Sequence, residues 1–165
     1  LYLDNNLLTG EIPKELGNLP NIRILYLYNN QLSGSLPAEL GNLSTMEYFA
    51  VINNQLSGVI PPELGNLTLL RYMYLYGNQF SGSIPPELGN LSNLVYLGLQ
   101  SNQLSGTVPG ELGSLGQLGR LYLNNNNLTG IEDLSAFASL RTHWEHLSQI
   151  TKPLIWLSQI TNYLV

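Results

Sequence analysis

The sequence predicts an α/β repeat solenoid, in which one short structural unit is stacked along a single domain. Three observations support this fold class: a period of 24 residues, alternating apolar residues at the start of each unit, and a Pro-x-Glu-Leu-Gly segment later in the unit. The period is clear in LYLYNNQLSGSLPAELGNL at 25–43, which reappears as MYLYGNQFSGSIPPELGNL at 73–91. Such close self-similarity indicates that one unit is reused.

Each unit contains signals for a strand and for a short helical turn. Its first four positions alternate apolar and polar residues, which is typical of a half-buried strand. The Pro-x-Glu-Leu-Gly segment favours one helical turn, because proline suits the first helical position and glutamate is favourable near the positive helix end. One unit cannot bury its apolar side alone, so we expect the strands of successive units to pair in parallel and the units to shield one another.

An asparagine occupies the sixth position of every unit, between apolar positions that should face the core. A buried amide without a partner costs about 1–3 kcal/mol. A stack of identical units removes this cost if each side chain bonds to the backbone of an adjacent unit, so we interpret the asparagines as a structural ladder. The ladder residues are Asn6, Asn30, Asn54, Asn78, Asn102 and Asn126.

The pattern LxLxxNxLSGxIPxxLGNL, seen as LGLQSNQLSGTVPGELGSL at 97–115, resembles the plant-type leucine-rich repeat. The resemblance covers residues 1 to about 130 and is strongest to the ectodomains of receptor-like kinases and receptor-like proteins. It implies a right-handed superhelix whose concave parallel β-sheet binds partners, with short 3-10 or helical turns on the convex side. It also implies a second small sheet at the Gly-x-Ile-Pro segment.

The repeat pattern divides the chain into a solenoid at 1–142 and a C-terminal tail at 143–165. The solenoid contains five full units and a shortened sixth unit at 121–142. The tail loses the register, and two interpretations stay open: a helical cap over the last coil, or sequence from a misplaced exon boundary. Residue 1 falls inside a unit, so we expect the chain to be a fragment.

Composition excludes several classes of function. The net charge is −5 with only six basic residues, so no basic surface for nucleic acid is expected. No apolar run is long enough to span a bilayer. The absence of cysteine excludes disulfides and thiolate zinc sites but leaves the compartment open.

No catalytic motif is present in the sequence. It contains no nucleophile elbow, phosphate loop or dinucleotide fingerprint. His143 and His146 lack the further ligands that a metal site requires. We therefore predict a non-catalytic protein without a metal or other cofactor.

Tyrosines are concentrated on one predicted surface. Positions 24, 2 and 4 of each unit should point away from the core, and nine of the ten tyrosines lie there. Tyrosine supplies rigid contact area and a hydroxyl, so it recurs at binding hot spots. The alternative is that aromatic residues simply favour strands and pair across them. The predicted ligand-binding residues are Tyr26, Tyr28, Tyr48, Tyr72, Tyr74, Tyr76, Tyr96 and Tyr122, with Arg71 and Arg120 bordering them and available to an acidic group.

Four segments match the acceptor pattern for N-linked glycosylation, which is used only if the chain enters the secretory pathway. The acceptor residues are Asn42, Asn66, Asn90 and Asn127. Three of them share position 18 of the unit, so they represent one repeated pattern.

These observations favour a protein- or peptide-binding scaffold that is the recognition segment of a larger receptor-like protein. The resemblance implies an extracellular or plasma-membrane ectodomain, while an intracellular location stays open, and any kinase or membrane-spanning segment would lie in sequence beyond this chain. Two alternatives remain: a secreted inhibitor of cell-wall-degrading enzymes, and the scaffold arm of an intracellular multidomain enzyme. The ligand and the oligomeric state are not specified by the sequence.

Overall fold

The computed structural model describes residues 1–139 and confirms the predicted solenoid of stacked coils. Each coil after the first contributes a strand to each of two parallel sheets and one 3-10 turn, η, whereas the first coil joins the concave sheet only through a bridge between Tyr2 and Tyr26. In chain order the elements are β1 (Thr9–Glu11), η1 (Lys14–Asn18), β2 (Ile24–Tyr26), β3 (Gln31–Gly34), η2 (Ala38–Asn42), β4 (Tyr48–Ala50), β5 (Gln55–Gly58), η3 (Pro62–Asn66), β6 (Tyr72–Tyr74), β7 (Gln79–Gly82), η4 (Pro86–Asn90), β8 (Tyr96–Gly98), β9 (Gln103–Val108), η5 (Gly110–Ser114), β10 (Arg120–Tyr122), β11 (Asn127–Ile131) and η6 (Leu134–Ser139).

The concave sheet contains five parallel strands in the order β10-β8-β6-β4-β2. Paired residues of neighbouring strands are one repeat apart in sequence, so Tyr72 pairs with Tyr48 on one side and with Tyr96 on the other. The strands begin one residue earlier than predicted and are shorter. Pairing between coils nevertheless continues beyond them, because the amide of Leu27 donates to the carbonyl of Ala50 at 2.8 Å.

The second sheet contains six strands in the order β1-β3-β5-β7-β9-β11. It starts at the Gln-Leu-Ser-Gly segment, a few residues before the expected Gly-x-Ile-Pro segment. The glycine that ends β3, β5 and β7 has a positive φ, 76° at Gly34, which turns the backbone away from the extended direction. The proline that follows has no amide to donate to the sheet.

The Pro-x-Glu-Leu-Gly segments form 3-10 turns. In the third turn, Pro61 precedes the helix with extended angles, and the amide of Leu64 donates to its carbonyl at 3.1 Å. Glu63 lies in the first turn, where its charge favours the positive helix end. Local sequence chemistry therefore specifies this element.

Adjacent 3-10 turns touch through their backbones, a role of glycine that the sequence analysis did not identify. A Cβ added to Gly65 would lie 2.4 Å from the carbonyl oxygen of Glu87 in the next coil. Such a distance is shorter than a van der Waals contact, so only glycine permits this approach. Comparable contacts with the next turn, all shorter than 3.0 Å, occur at Gly17, Gly41, Gly89 and Gly113.

One continuous apolar core runs between the two sheets and the turns, from Ile12 to Phe137. In the central coils side chains such as Phe49, Met73 and Phe80 are completely buried. Burial of one such side chain contributes about 1.5–3 kcal/mol relative to exposure. The first coil is less covered, and Leu1 is 39% exposed.

The asparagines at position 6 link each coil to the coil before it. The Nδ2 of Asn78 donates to the carbonyl of Val51 at 2.9 Å, and its Oδ1 accepts the amide of Leu56 at 3.1 Å. Equivalent bonds occur at Asn30, Asn54, Asn102 and Asn126. Asn6, in the first coil, donates only to carbonyls of its own coil.

Substituting Gly65 with alanine tests the close approach of the turns. The added Cβ must displace the backbone around Glu87, so we expect Gly65→Ala to lower the free energy of unfolding by about 1–3 kcal/mol. The measurement is equilibrium unfolding in urea. Gly116→Ala is the matched control, because no atom lies within 4 Å of the added Cβ at that position. Equal stability of the two variants would contradict the proposed contact.

Candidate ligand-binding face

A row of five tyrosine rings crosses the concave sheet from Tyr48 to Tyr122. The rings of Tyr48 and Tyr72 are stacked with centroids 4.9 Å apart and planes 9° apart. The row continues from Tyr72 through Tyr74 and Tyr96 to Tyr122, with successive centroid distances of 6.3, 4.6 and 5.3 Å. The register of one repeat per strand brings Tyr48 and Tyr72, which are 24 residues apart in sequence, into this stacked contact.

The remaining tyrosines of the face lie beside this row. Tyr2, Tyr26 and Tyr28 form a separate group at the N-terminal end, with successive centroid distances of 5.3 and 5.6 Å. Tyr76 lies next to Gly98, where an added Cβ would be 3.2 Å from its Cδ1 and 2.9 Å from Cε1 of Tyr96. Two of the predicted rings therefore lean over a position that has no side chain.

The rings lie against one another, but their polar ends remain available. No hydrogen bond joins the hydroxyls of Tyr48, Tyr72 or Tyr74 to another of the described residues, and none of these hydroxyls is buried. The side chains themselves are half-buried. A ligand would therefore meet a fixed row of ring edges and hydroxyl donors.

Burial changes the acid–base behaviour of this row. It is the main cause that raises the pKa of Tyr96 to about 12, and the neighbouring Tyr122 adds to the shift. Burial also raises the pKa of Tyr74, an effect that the positive charge of Arg120 opposes. Both hydroxyls are neutral at physiological pH, as tyrosine hydroxyls ordinarily are, and can donate hydrogen bonds.

The two predicted arginines lie at the border of the row. The guanidinium carbon of Arg71 is 5.7 Å from the centre of the Tyr72 ring, a cation–π contact. Arg120 begins β10 and is paired in register with Tyr96. A shallow cleft of about 330 Å³ opens beside it, lined by Tyr72, Val95, Tyr96, Gly119 and Arg120.

The structure adds a charged pair on the same border that the sequence analysis did not single out. Nε of Arg23 donates to Oε1 of Glu47 at 2.7 Å across adjacent coils. The signal was available, because the two residues are 24 positions apart and share position 23 of the unit. The pair neutralises both charges in the N-terminal half of the face.

A second asparagine ladder lies at position 5 of the unit, and the sequence analysis did not identify it. Nδ2 of Asn29 donates to Oδ1 of Asn5 at 2.8 Å, and Asn53 donates to Asn29 at 3.0 Å. All three residues have φ between 52° and 54°, a left-handed conformation that asparagine tolerates better than most residues. The ladder lies beside the concave strands and turns the chain towards the second sheet.

The four predicted glycosylation acceptors are all exposed. Asn42, Asn66 and Asn90 each end a 3-10 turn, and Asn127 begins β11. Their modification remains a prediction. Within residues 1–139 no cluster of three metal-ligating side chains occurs, and no helix has the length and apolarity needed to cross a membrane. The two histidines lie outside the described residues.

The raised pKa of Tyr96 predicts a pH dependence of stability. Its folded pKa of about 12 exceeds the unfolded value near 10, so the unfolded chain loses this proton first. The contribution of the Tyr96 hydroxyl to the free energy of unfolding is fully present below about pH 10 and decreases as the pH rises towards 12. Urea unfolding at several pH values should therefore show a smaller loss of stability over this range for Tyr96→Phe than for the wild type. Equal losses of stability in Tyr96→Phe and the wild type would contradict the raised pKa of Tyr96.

Comparison with known proteins places this geometry in a family. The family model described as Leucine Rich Repeat matches residues 1–19, 21–43, 46–67, 69–91 and 93–115. A comparison with curated proteins finds no match.

Solved structures with the same fold include two receptor ectodomains from Arabidopsis. The ectodomain of the plant membrane receptor kinase GASSHO1/SCHENGEN3, solved with CASPARIAN STRIP INTEGRITY FACTOR 2, has a TM-score of 0.82 and 44% identity over 85% of this chain and 17% of its own. The receptor kinase HAESA, solved with the peptide hormone IDA and the co-receptor SERK1, has a TM-score of 0.75 and 37% identity over 78% and 22%.

A third similar structure has a different role. A plant ice-binding protein has a TM-score of 0.76 and 34% identity over 84% of this chain and 45% of its own. The chain thus spans less than half the length of each of these three proteins. The family match and the coil geometry agree, and the chain belongs to the leucine-rich repeat family.

Proposed function

We propose that the chain is a non-catalytic scaffold that binds a protein or a peptide on its concave sheet. The observation that carries this proposal is the continuous row of tyrosine rings from Tyr48 to Tyr122. Rings held by their neighbours lose little conformational freedom on binding, which reduces the entropic cost of association. The hydroxyls of the row can donate to the carbonyl groups of an extended ligand.

We further propose that this scaffold is the recognition segment of an extracellular or plasma-membrane receptor-like protein. Its similarity to ectodomains solved with peptide hormones supports this role. The exposure of Asn42, Asn66 and Asn90 is compatible with glycosylation in the secretory pathway. The chain spans about a fifth of the length of those receptors, so we do not infer that it binds the same ligands.

Two other roles use the same coil and remain as alternatives: a secreted inhibitor of cell-wall-degrading enzymes, and the scaffold arm of an intracellular multidomain enzyme. The similarity to an ice-binding protein is a reason not to infer the receptor role from the coil alone. Flanking sequence separates the three roles. A membrane-spanning helix followed by a kinase favours the receptor, and a signal peptide with a stop soon after the repeats favours the inhibitor. A GTPase or ligase domain without a signal peptide favours the scaffold arm.

A selection for binding peptides tests the proposed face. A display library of random 12-residue peptides is panned against the immobilised chain, and the affinity of the enriched peptides is measured. Replacing Tyr72, Tyr74 and Tyr76 together by serine should lower this affinity at least about tenfold, since a tyrosine at a hot spot contributes about 2 kcal/mol or more. The far-UV circular dichroism should remain nearly unchanged, because backbone hydrogen bonds and the leucine core hold the strands.

Replacing the same three residues by phenylalanine is the matched control, since it keeps the ring contacts and removes only the hydroxyls. This variant should bind more tightly than the serine variant. Peptides that bind the wild type and the serine variant equally would contradict the proposed face. A serine variant that loses both its spectrum and its binding would assign the rings to strand packing.

A further inference from the structure

The cleft beside β10 is open because one position has no side chain. Gly119 lies among its lining residues, and a Cβ added there would meet only the carbonyl oxygen of Val95, at 3.7 Å. Tyr72 and Tyr96 form aromatic walls, and the exposed Arg120 stands at the border. The cleft therefore combines an apolar lining with one cation.

The charge of Arg120 is not neutralised within the part of the chain that the structure describes. The ion pair formed there joins Arg23 to Glu47, at the opposite end of the concave sheet. Around Arg120, the paired strand offers Tyr96 and the adjoining residues are Gly119 and Leu121, none of which is acidic. Arg71, two coils away, is not among the lining residues, and its guanidinium carbon lies 5.7 Å from the centre of the Tyr72 ring.

The distribution of charge over the rest of the chain favours the binding of anionic groups at Arg120. The chain carries a net charge of −5, and its acidic residues include a column on the 3-10 turns of the convex side. The positively charged C-terminal half of the concave sheet is thus an exception on an otherwise acidic protein. An anionic group on a ligand is therefore attracted to this half of the sheet more than to the acidic column on the turns.

We propose that this cleft is a specificity subsite that takes an aspartate or glutamate side chain of the bound peptide, with Arg120 as its partner. The inference rests on the proposed peptide-binding function and specifies the ligand for it. A guanidinium matches a carboxylate through two parallel hydrogen bonds, and the neighbouring tyrosine hydroxyls add donors. The aliphatic side chain of Val95 and the open position at Gly119 leave room for the methylene groups of the acidic residue.

Three peptide pools test this subsite. Each pool contains 12-residue peptides whose other positions are randomised among uncharged residues. The first has a central aspartate and an amidated C-terminus, the second a central asparagine and an amidated C-terminus, and the third a central asparagine and a free terminal carboxylate. Binding to the full chain is measured at low and at moderate salt for the wild type, Arg120→Gln and Lys14→Gln.

The aspartate pool should yield peptides that bind the wild type about tenfold more tightly than either asparagine pool, and added salt should reduce this preference. Arg120→Gln should abolish the preference. Lys14→Gln, which removes an exposed cation from the first 3-10 turn, should keep it. Unfolding curves of the variants establish that each remains folded.

Two results would overturn the subsite. One is equal binding of the aspartate and asparagine pools, and the other is a preference for the free terminal carboxylate over the aspartate side chain. In both cases peptide binding itself stands, because binding is still observed. If no pool binds the wild type, the proposed function fails, and with it the subsite.

Discussion

Each coil must hold the next at the distance of one strand, about 4.8 Å, and the asparagine ladder is the interaction that maintains this distance where the chain leaves the concave sheet. At this point the backbone turns, and its amides and carbonyls lose their sheet partners. Oδ1 of Asn102 accepts the amide of Phe80, and its Nδ2 donates to carbonyls of two coils. Without these bonds the buried backbone groups would lack partners, and the leucine core could not close around them. The glycines of the 3-10 turns satisfy the same constraint on the convex side.

The proposed binding face is a consequence of this spacing. Because successive coils are one strand apart, tyrosines at equivalent positions come within ring-stacking distance, as Tyr48 and Tyr72 do at 4.9 Å. The rings are then oriented by one another and by the small residues beneath them, such as Gly98. These contacts restrict the rings before any ligand arrives, which favours recognition by preorganised contacts. Charge varies along the same face: Arg23 and Glu47 cancel near the N-terminal end, whereas Arg120 remains unpaired among the described residues towards the other end.

The sequence was sufficient for the features that repeat with its period. The solenoid, the parallel concave sheet and the inward-facing asparagines all follow from a 24-residue pattern that one coil cannot satisfy alone. It was insufficient for contacts that depend on how closely two coils approach. The Pro-x-Glu-Leu-Gly pattern predicted the turn that contains Gly65 but not the main constraint on this glycine, which is the carbonyl of Glu87 in the next coil. The second sheet likewise begins earlier than expected, at the Gln-Leu-Ser-Gly segment, and three of its strands end at a glycine with positive φ such as Gly34. For the proposed binding face, the columns predicted which tyrosines share a surface, but the order of ring contacts depends on side-chain rotation.

Hydrogen exchange at the amides of Leu32, Leu56, Phe80 and Leu104 measures the ladder most directly. In the structure each of these amides donates to the Oδ1 of a ladder asparagine. The account predicts that they exchange as slowly as the amides of Tyr72 and Tyr96 in the concave sheet, because opening either set requires two coils to separate. Exchange of the four amides at the rate of exposed loop amides, while the sheet amides stay protected, would contradict the account.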